Sequence, residues 1–262
     1  MTRLDPLVSV WAGAPGGPAF VALEPGRPHY AASTMKLPLV VAAYRLHDRG
    51  ELDLDAAVPV RNEFRSAWDG SPFGLSQADD QDDETWDRIG TDVPLRVLAR
   101  HSIVHSGNLA TDVLLAHVGA AEVAAVLTDA GCSERTRLPR GIGDAVARDA
   151  GLENVVTAAD LALVMGGVAT GRLASPASCA AVEEVLAGQQ HRDQVPAGLP
   201  DGVHVANKTG WVDGVAHDVA LVRPVDHPPY VLAICTTAEA DEHTLFALNA
   251  AVSAAVWKRW TS

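Results

Sequence analysis

Lysine is nearly absent from this chain. Of its 20 basic residues only Lys36, Lys208 and Lys258 are lysines, which leaves 17 arginines. A guanidinium keeps its proton, whereas an ammonium on a flexible stem loses its own readily when buried. The lysines that remain therefore mark positions where a compact charge or a titratable amine is wanted. Clusters of basic residues are missing as well. With a formal net charge of −13 the chain has no surface that could release phosphate counterions, which excludes nucleic acid as a partner. Long apolar runs are also lacking: none approaches the ~20 residues of a spanning helix, so no membrane partner is expected. Met1-Thr2-Arg3-Leu4-Asp5-Pro6 leads at once into Leu7-Val8-Ser9-Val10-Trp11 and is too short for a secretory leader. A cytoplasmic location follows, unless a leader has been removed. The three cysteines (Cys132, Cys179 and Cys235) are widely spaced, without Cys-x-x-Cys or metal-ligand patterns, and read as small buried apolar residues. His101, His105, His117 and His217 lack paired metal-ligand spacing with a carboxylate motif. No metal and no cofactor are expected.

What is present is a globular composition, 48 % hydrophobic over 262 residues, enough for one large domain or two interleaved lobes. Strand patterns occupy the start, from Val8 to Tyr30 as an antiparallel meander, and return at 203–208, 215–222 and 230–235. Between them lie helical patterns. One begins near Ser33 and stops at Asp48-Arg49-Gly50, others run from Val93 toward His105, from Leu109 to Val118 and from Ala121 to Gly131, and Thr157-Ala158-Ala159-Asp160 opens another like a capping box. Ser178–Ala187 and Asp241–Trp260 complete the set. Residues 61–92, with the acidic run Asp79-Asp80-Gln81-Asp82-Asp83-Glu84, read as a solvated loop. The predicted fold class is α+β with two lobes: an antiparallel sheet built from both termini and flanked by helices, with an inserted all-helical lobe. The whole of 1–262 forms a single domain, its sheet lobe at about 1–32 plus 197–262 and its helical lobe at about 33–196.

Three short motifs stand out in this framework. Ser33-Thr34-Met35-Lys36 falls at a helix start, where Ser33 and Lys36 share a face and the partial positive charge of the helix end favours an alkoxide and a neutral amine. Taken alone it could be a simple serine N-cap. Ser106-Gly107-Asn108 falls at a break between helices, and Lys208-Thr209-Gly210 is expected at the end of a strand. Together and in this order they match the set Ser-x-x-Lys, Ser-Asp-Asn and Lys-Thr-Gly, with Gly107 where Asp is usual.

On these motifs the chain resembles the penicillin-recognising serine hydrolases, and in length and order of elements it is most similar to class A β-lactamases. The similarity includes Gly50-Glu51-Leu52-Asp53-Leu54 and Leu109-Ala110-Thr111-Asp112-Val113-Leu114-Leu115. The resemblance implies that Ser33 is the nucleophile that forms an acyl-enzyme, and that Lys36 is the base that takes its proton. It implies further that Ser106 relays the proton to the leaving nitrogen while Lys208 polarises the relay and attracts a substrate carboxylate. Asn108 would hold a substrate amide or the Lys36 amine, and Thr209 and Gly210 belong to the substrate-binding strand. Thr209 would contact the carboxylate, and the backbone N–H groups of Ser33 and Trp211 would form the oxyanion hole.

One departure bears on the chemistry. Class A β-lactamases carry a Glu in a pattern like Arg-x-Glu-x-x-x-Asn, which activates the deacylating water. Here Ile142 takes that place if Arg140 is the motif arginine, and Pro139 does if it is Arg137. Glu153 and Asn154 come late and Asp144 is displaced, although Asp144 or Glu153 could substitute through a refolded loop. The expected function is a serine hydrolase acting on an amide or ester through an acyl-enzyme on Ser33, slow on β-lactams. An esterase, a D-alanyl-type peptidase or an acyltransferase on the same fold is the first alternative, and a non-catalytic ligand-binding module the second. The expected partner is a small molecule or short peptide bearing a carboxylate.

Overall fold

Strand β1 (Leu7–Gly13) is followed after a Gly/Pro turn by β2 (Ala19–Leu23), and the chain returns to the same sheet only near its end, with β9 (His204–Val212), β10 (Val215–Arg223) and β11 (Tyr230–Thr237). In this computed structural model, which describes residues 7–262, these strands form one antiparallel sheet in the order β2-β1-β11-β10-β9. Met1–Pro6, too short for a leader by sequence, lies outside the described residues. The central strands are apolar on both faces because both faces are covered. Val231, Ala233 and Cys235 join the core shared with the helical lobe, while Leu232 and Ile234 pack with Val10, Ala220 and Val256 of the last helix, α9 (Glu242–Trp260). The period-2 alternation thus assigns successive residues of β11 to two different cores.

The helical lobe is organised around α1 (Lys36–Asp48), buried from Lys36 through Tyr44 and ended by Gly50 in the left-handed region at φ +70°. Around it in chain order come α3 (Leu95–Val104), α4 (Asn108–Val118), α5 (Ala120–Ala130), α7 (Ala158–Ala169) and α8 (Pro176–Ala187). The predicted signals operate: the Thr157 hydroxyl accepts from the N–H of Asp160, and Gly131 closes α5 at φ +84°. Among the described residues no single helix is long and apolar enough to cross a membrane.

Three local expectations are corrected. Strand β3 (His29–Tyr30) leaves the meander and pairs with β8 (Val155–Val156), so the approach to Ser33 is tied to the segment that leads into α7. Ser33 stands just before its helix, as expected: it lies in a 3-10 turn, Ala32–Met35, that leads into the α-helix at Lys36. Lys208-Thr209-Gly210 sits inside β9, which continues to Val212. Residues 61–92 are built rather than merely solvated: β4 (Ala57–Pro59) pairs with β7 (Asp92–Pro94), β5 (Phe64–Arg65) with β6 (Pro72–Phe73), and α2 (Asp83–Trp86) carries the acidic run against α3 and α4. Asp82 caps α2 from a buried position, and Asp80 accepts from the first two N–H groups of α4, those of Asn108 and Leu109, at 2.7 and 2.8 Å. A helix start must find acceptors for its free N–H groups, and here they come from 28 residues upstream.

Candidate active site

A cavity of about 520 Å³ opens where the edge strand β9, the Ser33 turn and the α3–α4 break converge. Ser33, Ser106, Asn108, Ile142, Arg148 and Trp211 line it. Gly210 explains how strand and turn come so close. A Cβ there would stand 2.9 Å from the Ser33 nitrogen and 2.8 Å from that of Thr34, so only glycine allows the contact. Two residues at the cavity hold backbone angles that a Cβ makes costly, Ala32 at φ +44° and Ser106 at φ +60°. Strain of roughly 1–3 kcal/mol per residue is kept only where the surroundings enforce it.

Lys36 and Lys208 are fully buried behind the cavity wall and meet at one hydroxyl. Lys36 Nζ donates to the Ser106 carbonyl at 2.6 Å and to Asn108 Oδ1 at 2.7 Å, and it stands 3.5 Å from Ser106 Oγ. Lys208 Nζ donates to the Thr209 carbonyl at 2.7 Å and to Ser106 Oγ at 3.0 Å. Burial pushes the Lys36 amine down to about 7, although the carboxylates of Asp80, Asp112 and Asp82 work against it. Burial, and next the charge of Lys36, push Lys208 well below the ordinary lysine range, with Asp218 opposing. A neutral amine has two N–H groups and one lone pair. At Lys36 two acceptors take the two N–H groups, which leaves the lone pair free for a hydroxyl proton.

The remaining residues divide by strand alternation. Thr209 pairs with Asp218 and Lys208 with Val219, so Thr209 projects from the face opposite to Lys208. It is buried, its hydroxyl meets no partner among the described residues, and it does not line the cavity. Trp211, two residues on, does line it, with its ring 4.7 Å from that of His191. His217, a neighbour of the motif strand, is a brace. Its Nδ1 accepts from the N–H of Thr236 at 3.1 Å, so Nε2 carries the hydrogen and donates to the Tyr30 carbonyl at 2.8 Å. Burial holds it below the usual histidine range, and it pins the approach to Ser33 as a neutral ring.

The loop from Cys132 to Val156 presents Ile142 to the cavity and no carboxylate. Arg140 is buried inside this loop, donating to the carbonyls of Leu152, Gly141 and Ile142. Asp112 of α4 receives the N–H groups of Ile142 and Gly143 at 2.8 and 3.1 Å, and burial raises its carboxyl to about 6. Gly141 and Gly143 allow that fit, since a Cβ at either would crowd the Asp112 carboxylate. Asp144 is occupied as the cap of α6 (Ala145–Asp149) and as acceptor for Ala67, and Glu153 lies 3.8 Å from Arg140. Neither lines the cavity. Sequence reasoning missed Asp80, Asp82 and Asp112 as parts of the site. The signal for Asp112 was the one carboxylate on a mainly apolar helix, four residues after Asn108.

Gly107 departs from the common motif for a reason visible in space. A Cβ there would lie 2.6 Å from Asp82 Oδ2 and 2.8 Å from Asp82 Cβ. Asp82 fills the volume that a side chain at 107 would need. Introducing the motif's usual residue, Gly107→Asp, is therefore expected to destabilise the fold by about 1–3 kcal/mol, through overpacking and apposed carboxylates. Urea denaturation checks this, and an unchanged midpoint would show that Asp82 can move aside.

The fold and its three converging motifs define a hydrolase of the β-lactamase-like class. The chain belongs to the beta-lactamase enzyme family, whose profile matches residues 7–260. Among solved structures it is similar to the beta-lactamase from Sphaerobacter thermophilus DSM 20745, at 27 % identity and a TM-score of 0.82 over 97 % of this chain and 90 % of that one. PBP-A shares the fold at 21 % identity and a TM-score of 0.82, over 100 % and 91 % of the two chains. So does a PBP-A variant solved as an acyl-enzyme complex with penicillin-G, at 21 % identity, a TM-score of 0.82 and coverage of 98 % and 91 %. No curated protein matches the chain.

Proposed function

We propose that the chain is a serine hydrolase that forms a covalent acyl-enzyme on Ser33 with an amide or ester bearing a carboxylate, and that it is slow on β-lactams. The observation that carries this is the meeting of two buried lysines, 172 residues apart, at the Ser106 hydroxyl on the wall of the Ser33 cavity. Lys36 takes the Ser33 proton, and Ser33 Oγ attacks the carbonyl carbon while the N–H groups of Ser33 and Trp211 receive the developing oxyanion. Ser106 Oγ then gives its proton to the leaving atom and is reprotonated from the lysine side. Arg148, on the cavity wall and paired with Asp149 only through Nε, offers the substrate carboxylate the outer end of its guanidinium, whereas the Lys208 amine is taken up by Ser106 and Thr209. That a PBP-A variant was caught as a penicillin-G acyl-enzyme supports the same intermediate here.

Slow turnover rests on the loop wall, which sets Ile142 and no carboxylate on the cavity; Asp79, the one carboxylate among the lining residues, comes from the other wall, where its carbonyl accepts from Asn108. The same feature favours, as a second reading, transfer of the acyl group to an acceptor nucleophile other than water. Intact mass after incubation with benzylpenicillin or a fluorophosphonate is expected to show one stoichiometric adduct, located by peptide mapping on the Ser33 peptide. An unmodified chain under saturating concentrations of both probes would overturn the proposal. Faster loss of the adduct in added amines than in buffer would select the transferase reading.

A further inference from the structure

Outside the cavity, the richest cluster of ligating side chains is on the far side of the Ser106-Gly107-Asn108 turn. His101 and His105 lie four residues apart at the end of α3, on one helical face, with ring centroids 4.9 Å apart. Asp82, from the acidic run, brings Oδ2 to 3.2 Å from His101 Nδ1. One ligand atom from each of Asp82, His101 and His105 lies within 4.8 Å of the others. The sequence masked this set because its carboxylate comes from another element, 19 residues before His101.

We propose that Asp82, His101 and His105 form a binding site for a divalent cation of the zinc class, on the side of the Ser106-Gly107-Asn108 turn away from the Ser33 cavity. Two imidazoles and a carboxylate are the donor types such an ion takes in a three-ligand site, with water in the fourth position. A separation of 3.2 Å between Nδ1 and Oδ2 suits two ligands at about 2.0–2.2 Å from one tetrahedral ion. The surroundings fit the same role. Metal on Nδ1 requires the hydrogen on Nε2, and the exposed Glu84 carboxylate, 3.7 Å from that nitrogen, needs to close by less than 1 Å to accept from it as an outer partner. Asp82 is fixed by the N–H and the hydroxyl of Thr85, and the same hydroxyl oxygen stands 3.0 Å from His101 Nδ1, so Thr85 holds both ligand atoms in place. A second cavity of about 530 Å³, lined by His101, Thr85 and Glu84, reaches the cluster from its His101 side.

The position has a structural consequence. Asp82 fills the volume beside Gly107, so an ion held by Asp82 and α3 clamps the turn that carries Ser106 and Asn108. The test uses the full chain stripped with EDTA. Calorimetric titration with zinc chloride is expected to give one ion per chain, cobalt chloride the visible bands of a tetrahedral nitrogen–oxygen site, and either ion a higher melting temperature. His105→Ala, at a half-buried helix end, is expected to weaken binding about a hundredfold. Glu84→Gln should weaken it roughly tenfold, the range found for outer-shell partners. Absence of saturable binding to the wild-type chain would overturn the proposal. So would unchanged affinity in His105→Ala with an intact melting transition, since the ion would then sit elsewhere. Should His105→Ala fail to fold, the cobalt spectrum and Glu84→Gln decide alone.

Discussion

Replacing Lys36 by methionine is expected to slow acylation of Ser33 by about a thousandfold, within the range of a positioned general base. Methionine fills most of the same buried volume but cannot accept a proton. Lys36→Arg separates charge from basicity, because a guanidinium keeps the positive charge and never gives up its proton. Both variants should be similarly slow if the amine acts as a base. If positive charge is all that matters, the arginine variant should stay near wild type. The pH dependence supplies an independent check. Burial brings the amine down to about 7, so the neutral, proton-accepting form falls about tenfold per pH unit below that value and dominates above it. Acylation of the wild type should therefore rise with pH to a plateau, with its midpoint near 7, and this rise should vanish in Lys36→Met. Stability follows the same sign. An unfolded lysine holds its proton to about 10.4 while the folded one releases it near 7, so between these values the unfolded state binds more protons and stability climbs with pH. Stopped-flow acylation by a chromogenic ester measures the first effect. A Lys36→Met protein within tenfold of wild type, with the same pH rise, would remove Lys36 from the role.

The parts of this design that were legible in the sequence are those specified locally. Thr157 and Gly131 end their helices with their own side chain or backbone, and the alternation in β10 and β11 needs only nearest neighbours. The three motifs were legible because each is a tetrapeptide or shorter. What was hidden depends on pairing at a distance. Asp80 and Asp82 look like solubilising charge in a run of acids, and only the meeting of α2 with α4 makes one a helix cap and the other a filler beside Gly107. His29–Tyr30 has a strand's composition, but its partner, Val155–Val156, is selected by the path of the long loop. Thr209 is a different case. Alternation alone sets it on the opposite face from Lys208, and reading the motif as one contiguous contact surface obscured that.

Installing a carboxylate at position 142, Ile142→Glu, is expected to shorten the lifetime of a β-lactam acyl adduct on Ser33 by about a hundredfold, a typical gain from a general base aimed at water. The backbone already suits the change. The N–H groups of Ile142 and Gly143 are anchored on Asp112, Arg140 holds the carbonyls of Gly141 and Ile142, and the side chain at 142 lines the cavity. The new carboxylate would thus project into the space that the adduct occupies without a refolded loop. Its cost is electrostatic. Asp112, already raised to about 6 by burial, gains a like-charged neighbour and takes up its proton more readily, so the gain should be largest at alkaline pH and fade as pH falls through the titration of the new base. Ile142→Gln supplies the control, with similar size and polarity but no basicity, and should leave the lifetime within a few-fold of wild type. Decay of the adduct followed by intact mass distinguishes the cases. If glutamate and glutamine variants both release the acyl group at the wild-type rate, slow turnover has another origin, most directly a cavity from which water is excluded once the acyl group is in place.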